Sequence, residues 1–275
     1  MNNVIKKVGI ITHRGNYNYG GLLQALCMQR WLQVQNIDAE LIDINDYNLS
    51  GSRLFQLIRP ILEPKRLFKK LINRHKSNNA KQLPPDDFKH LFLDYKQKVG
   101  MKYSPKANRS NFGSVANEYD AIIIGSDQVW VYKYARPLIF FGQWRPKYNG
   151  RLISYAACSP DEHTPWYNKG LLSHLLKNFN EISVRDKTTQ QWVKTLCDRE
   201  SSIVVDPTLL YDTDTLTRSS IIEEPYIFTY CLGSEINGGN KNAINEIRKK
   251  YGNIKPVCRS PQNTGVCVVQ NRNER

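Results

Sequence analysis

Apolar runs of four to six residues alternate along this chain with stretches whose apolar positions recur at helical spacing. Val8–Thr12 reads as a buried strand. His13–Tyr19 is a turn-rich loop closed by Gly20 and Gly21, and Leu22, Leu23, Leu26, Trp31 and Leu32 then repeat as one helix face. A strand at Ala39–Ile44 completes a β-α-β unit. The same alternation returns with strand Ala121–Ile124, strand Leu152–Ala157, helix Trp166–Phe179, strand Glu181–Val184, helix Lys187–Leu196 and strand Ile203–Val205. Polar or charged residues stand at the strand exits: Ser126 and Asp127, Arg185 and Asp186, and Asp206. Strand-then-helix repetition of this kind predicts a doubly wound parallel α/β sheet. Sites in such sheets lie at the carboxyl ends of the strands.

The stretch Ala121–Trp130 organises the rest. Its apolar run stops at Gly125, which permits a sharp turn, and Ser126, Asp127, Gln128 and Trp130 follow at once. Ser126 or Asp127 can cap what comes next. Asp127 also offers a carboxylate to a ligand, and Trp130 offers either a stacking surface for a sugar or a core side chain.

Two regions interrupt the alternation. Across 53–76, Arg53, Arg59, Lys65, Arg66, Lys69, Lys70, Arg74 and Lys76 are interleaved with Leu, Ile and Phe, with Glu63 as the lone acid. Pro60 and Pro64 divide it into two short helices. It suits a membrane interface with its apolar face down, or a surface helical hairpin with a solvated basic face. With a linker at 78–85 and a helix over 87–98, it forms a basic helical insertion of about 51–98 in an N-terminal domain of 1–211. Residues 104–117 read as a loop. A polar linker at 212–225 precedes a fresh unit: strand Tyr226–Leu232, loop Gly233–Asn240, helix Ala243–Tyr251 and a short strand at Lys255–Cys258. Residues 226–275 thus read as the truncated start of a second, incomplete Rossmann-like domain, shorter than domains usually are.

Composition narrows the function. Hydrophobic residues make up 40% of the 275, enough for a substantial core. No run is long enough to span a bilayer, and the N-terminus has no signal-peptide pattern. The six cysteines are scattered and none forms C-x-x-C, so neither a zinc site nor a disulfide framework is indicated. No metal is expected, and the cytoplasm is the expected compartment. The formal net charge of +14 favours an anionic partner. No nucleic-acid-binding signature accompanies it. G-x-G-x-x-G and G-x-x-x-x-G-K-[ST] are both lacking, so no dinucleotide or Walker-type site is indicated.

Five patches in order carry a family likeness: Asn18-Tyr19-Gly20-Gly21-Leu22-Leu23-Gln24-Ala25-Leu26, Gly125-Ser126-Asp127-Gln128-Val129-Trp130, Ser154-Tyr155-Ala156-Ala157, Ile182-Ser183-Val184-Arg185-Asp186 and Asp206-Pro207-Thr208-Leu209-Leu210. With them the sequence resembles the polysaccharide pyruvyl transferases over roughly residues 8–211. The resemblance implies a fold of two Rossmann-like domains, the GT-B type. It implies transfer of the enolpyruvyl group of phosphoenolpyruvate to a sugar of a surface polysaccharide, forming a pyruvate ketal and releasing phosphate. Phosphoenolpyruvate would be a co-substrate, and no cofactor is implied. The acceptor would be a saccharide, often lipid-linked at the inner face of the cytoplasmic membrane, where segment 53–76 would make peripheral contact.

The resemblance also suggests roles. A small trianionic donor calls for a guanidinium that grips carboxylate or phosphate at two points. Arg185 matches the family's arginine and is the donor-binding candidate; a salt bridge to Asp186 or another neighbour is its structural alternative. Asp127 is the catalytic candidate, as base or acceptor contact. Asn18, Tyr19, Gly20, Gln128 and Trp130 are the acceptor-binding candidates. Asp206 is expected to order the turn before Pro207.

Three departures from the family pattern stand out. No Ser-Phe-His-Gly-like patch supplies a second-domain histidine, since His13, His75, His90, His163 and His174 all precede the linker. Val131 replaces the usual Asn, and Cys158-Ser159-Pro160 replaces a Ser-Phe-Gly-like continuation. Three readings stay open: a pyruvyl transferase, active or disabled by truncation; a non-catalytic saccharide-binding or assembly module; and a nucleotide-sugar glycosyltransferase of GT-B type.

Overall fold

A computed structural model describes residues 4–13, 18–44, 86–108, 110–130, 138–159, 164, 166–216, 226–230, 239–252, 255–260 and 263–268. The basic segment 53–76, the linker at 78–85 and most of the linker at 212–225 lie outside them. The chain divides into two compact units, Met1–Lys69 with Gln97–Thr215 and Lys70–Lys96 with Leu216–Arg275.

The first unit is built on a parallel six-stranded sheet: β1 (Lys7–Ile11), β2 (Asp38–Leu41), β3 (Ala121–Ile124), β4 (Arg151–Ala157), β5 (Glu181–Val184) and β6 (Ser202–Ile203). Its spatial order is β2-β1-β3-β4-β5-β6. Helix α1 (Tyr19–Val34) joins β1 to β2. Helix α2 (Asp86–Lys98), which belongs to the second unit as far as Lys96, and the short α3 (Phe112–Ala116) precede β3 in the chain. Helices α4 (Trp166–Lys177) and α5 (Lys187–Cys197) follow β4 and β5. Helix α3 falls where the sequence reads as a loop; five residues with a glycine inside carry too little periodicity to announce a helix.

Strand side chains alternate between two buried faces, as the two-residue period requires. Val8, Ile10, Ala39, Leu41, Ala121 and Ile123 pack with Ala25, Met28 and Leu32 of α1 on one face. Ile11, Ile122, Ile124, Leu152, Ile182 and Val184 pack with Leu172, Leu175 and Leu176 of α4 and Trp192 and Val193 of α5 on the other. Because both faces are covered, every position of β3 is buried. That is why Ala121–Ile124 is continuously apolar instead of alternating. Each such buried aliphatic side chain contributes about 1.5–3 kcal/mol relative to exposure. The doubly wound α/β reading of the sequence holds.

Order matters for function. The chain leaves β1 for β2 on one side, and β3 to β6 are laid down on the other. The switch point thus lies between β1 and β3, and open α/β sheets place their sites at the carboxyl ends of the strands beside it.

The second unit contains a three-stranded sheet of β7 (Tyr226–Tyr230), β8 (Lys255–Ser260) and β9 (Asn263–Val268), with helix α6 (Gly239–Tyr251). Strands β7 and β8 are parallel, and β9 is antiparallel to β8. The β7-α6-β8 unit follows the sequence expectation. Strand β9 extends well beyond the short apolar run at Val266–Val269.

Candidate functional site

At the switch point, β1 gives way to Thr12 and His13, β3 to Gly125–Gln128, and α1 begins. Asn18 adopts extended backbone (φ −95°, ψ 111°), and its side-chain oxygen accepts from the Gly21 N–H at 3.2 Å, capping α1. Gly125 (φ +122°) is required by its surroundings: a Cβ there would stand 2.1 Å from the Tyr155 carbonyl oxygen. The Gly125–Ser126 peptide is cis, and Asp127 lies at φ 78°.

The buried Gln24 side chain ties these segments together. Its amide N–H groups donate to Thr12 Oγ1 (2.8 Å), the His13 carbonyl (3.1 Å) and the Gly21 carbonyl (3.0 Å). Its oxygen accepts from Ser126 N–H (3.2 Å) and Ser126 Oγ (3.0 Å). Two carbonyl acceptors on one side and a backbone donor on the other fix which end of the amide is which. Thr12 completes the ring by donating to the Ser126 carbonyl at 2.9 Å.

The end of β4 is held between its neighbours. Cys158 N–H donates to the Asp127 carbonyl at 3.0 Å, and Arg185 N–H donates to the Ala157 carbonyl at 3.1 Å. Asp127 and Arg185 thus flank one strand end. The Asp127 carboxylate is half-buried, and no hydrogen bond or ion pair joins it to another described side chain. Gln128 is exposed beside it, and its carbonyl meets His13 Nε2 at 3.1 Å.

Arg185 Nη1 pairs with Asp206 Oδ2 at 3.2 Å, and Ser126 Oγ reaches the same oxygen at 3.2 Å. The other Asp206 oxygen accepts from Thr208 N–H (3.1 Å) and Oγ1 (2.9 Å), capping the 3-10 turn Pro207–Leu209. Asp206 has the turn-ordering role read from the sequence, and it also anchors the arginine. Asp186, by contrast, caps α5 through the Thr189 N–H at 2.7 Å and accepts from the Cys158 thiol at 3.1 Å. Arg185 hydrogen-bonds the same sulfur.

Burial and these contacts set the charges. Burial lowers the His13 pKa, against the raising influence of the Gln128 carbonyl and the Asp127 carboxylate. Burial also pushes the Cys27 thiol up to about 11, with the Asp206 carboxylate adding to it. Burial opposes the charge of Asp186, but the Thr189 N–H and the Cys158 thiol outweigh it, and its pKa falls. Burial likewise opposes the charge of Arg185, yet Cys158 and Asp206 more than compensate.

Of the acceptor candidates, Asn18, Tyr19 and Gly20 stand together at the exposed start of α1, and Gln128 lies on the β3 exit. Trp130 takes the other role the sequence left open. It is 0% exposed and its indole N–H donates to the Phe140 carbonyl at 2.9 Å. Phe141, Phe179 and Trp192 surround its ring at 5.9–6.2 Å between centroids. The indole offers no open face for a sugar, because it fills the core beneath the β3 exit. Three residues escaped the sequence reading: Gln24, Ser126 as a bridge, and His13. Only His13, the first residue of the loop after β1, carried a local signal.

Among the described residues, no three His, Cys, Asp or Glu side chains form a metal-binding group, and no helix is long and apolar enough to cross a membrane.

No curated protein sequence matches the chain. Among solved structures it is similar to the UDP-GlcNAc 2-epimerase of Methanocaldococcus jannaschii, at 12% identity and a TM-score of 0.44. That match covers 94% of this chain and spans 66% of the epimerase. The sequence profile of the polysaccharide pyruvyl transferases matches residues 18–263, nearly the whole chain and every strand-end patch described above except Thr12 and His13. The chain belongs to the polysaccharide pyruvyl transferase family.

Proposed function

We propose that this protein transfers the enolpyruvyl group of phosphoenolpyruvate to a saccharide acceptor and closes it to a pyruvate ketal. One sugar hydroxyl adds to the enol carbon while a proton is delivered to the methylene carbon, which becomes a methyl group. A second hydroxyl then displaces phosphate from the same carbon, its proton leaving with the phosphate, so two C–O bonds to sugar replace the enol π bond and the C–O bond to phosphate. Asp127 is the group that takes the hydroxyl proton. Arg185 holds the donor, because a guanidinium meets a carboxylate or phosphate with two parallel donors. Asn18, Tyr19, Gly20 and Gln128 contact the acceptor. A lipid-linked acceptor at the inner membrane face would bring the basic segment 53–76 against anionic lipid.

The observation that supports this reading is the pairing of an untied carboxylate with an arginine on either side of one strand end, Asp127 and Arg185 about β4. A general base and an anion clamp are two of the groups the first step needs, beside the acid that protonates the methylene carbon.

A thermal-shift titration with phosphoenolpyruvate tests it, with nucleotide sugars run in parallel. A ligand that binds only the folded chain stabilises it by about 2.7 kcal/mol at a hundred times its dissociation constant. A saturable shift with phosphoenolpyruvate that disappears in Arg185→Ala is expected. A shift with a nucleotide sugar alone would replace this reading with a glycosyltransferase.

A further inference from the structure

We propose that Asp206 is the positioning residue of the anion site: it aims Arg185 and couples it, through Ser126, to the loop that carries Asp127. This rests on the reading of Arg185 as the donor-binding residue.

A turn cap needs one carboxylate oxygen, and here Oδ1 performs that task through Thr208. Oδ2 does something else. It receives Arg185 Nη1 and Ser126 Oγ, both at 3.2 Å, from positions 21 and 80 residues away in sequence. Ser126 is fully buried, and its single hydroxyl proton is shared between Asp206 Oδ2 and Gln24 Oε1, the latter at 3.0 Å. The chain Gln24–Ser126–Asp206–Arg185 therefore runs from α1, past the β3 exit, to the β5 exit. The Arg185 side chain is 33% exposed, and Asp206 is the carboxylate that pairs with it. Fixing one edge by a charge-assisted bond lowers the ordering cost when an anion meets the remaining donors. The Cys158 sulfur is a second, neutral contact and cannot replace the counter-charge.

Substitution can separate the two oxygens. Asp206→Asn keeps an acceptor oxygen for the Thr208 N–H but turns an NH2 towards Arg185, where a donor meets a donor. Thr208→Val does the reverse: it weakens the cap and leaves the ion pair. Two readouts are needed on the 275-residue chain: phosphoenolpyruvate affinity, and the rate at which phenylglyoxal modifies Arg185, followed by peptide mass spectrometry without any ligand. Loss of a charge-assisted bond predicts an affinity about tenfold weaker in Asp206→Asn, with faster modification of Arg185. Ser126→Ala should give a smaller change in the same direction. Thr208→Val should lower the melting temperature and leave both readouts unchanged.

Unchanged Arg185 reactivity in a folded Asp206→Asn chain overturns the proposal whatever the donor is. If Arg185→Ala abolishes phosphoenolpyruvate binding while Asp206→Asn does not alter it, Arg185 is the donor residue but Asp206 does not position it. If Arg185→Ala leaves binding intact, the donor-site reading itself fails, and the modification rate alone judges Asp206.

Discussion

The exits of β3 and β5 flank the same strand end and solve opposite problems. At β3 the main chain is locked and the Asp127 side chain is left untied. Ser126 is held by Gln24, Thr12 and Asp206, and the Asp127 backbone sits in the left-handed region at φ 78°. No hydrogen bond or ion pair joins its carboxylate to another described side chain, and its charge acts on His13 only through space. At β5 the main chain is ordinary and the side chain is fastened, Arg185 by Asp206 and Cys158. The difference follows from what each group must avoid. A carboxylate tied to a cation is a weaker base, and the Asp127 carboxylate stands apart and half-exposed. A half-buried guanidinium without counter-charge is costly, so Arg185 is partnered by Asp206.

The sharpest way to break the contrast is at Gly125. Gly125→Ala would press a methyl group to within 2.1 Å of the Tyr155 carbonyl oxygen at φ +122°. A loss above about 4 kcal/mol in urea unfolding is expected, in the class reserved for steric and backbone strain. Stability within about 1 kcal/mol of the parent would mean the β3 exit is far more pliable than described.

Asp127→Asn isolates the untied carboxylate. Transfer from phosphoenolpyruvate to an acceptor should fall by about 10²–10⁴-fold. The unfolding free energy should stay within about 0.5 kcal/mol, because no described bond is lost. Retained turnover would remove Asp127 as the base and pass the role to a group outside the β3 exit.

His13 gives the smallest effect and tunes the picture. Burial holds its pKa below the ordinary 6.5, so the unfolded chain takes up a proton more readily than the folded one. The stability it contributes is complete above the unfolded value and drains away as pH falls towards the lower folded value. Thermal melts from about pH 7 down to about pH 5 should therefore fall more steeply for the parent than for His13→Gln. Parallel curves would show that His13 is not held neutral by its surroundings.

Much of the sheet could be read from the chain because β1 and β3 are covered on both faces and are therefore almost continuously apolar runs. Gly125 and the polar residues behind it marked the site for the same reason: a buried strand can only become polar where it ends. The connections at the site were not legible. Gln24 meets Ser126 across 102 positions and Ser126 meets Asp206 across 80, and no local pattern encodes such pairings. Trp130 shows a different difficulty. An aromatic residue after a strand exit suits a sugar platform or a core plug equally well, and only the packing of Phe141, Phe179 and Trp192 decides. Strand β9 was hidden because it is antiparallel and short of apolar alternation.

The joints on either side of β4 are made by the amide of Cys158 and the carbonyl of Ala157, not by their side chains. Any residue but proline at position 158 can supply that amide. The spacing between the two flanking groups is thereby insulated from mutation at this position. Cys158 can therefore be exchanged without pulling the Asp127 and Arg185 backbones apart, although its thiol bond to Asp186 would be lost.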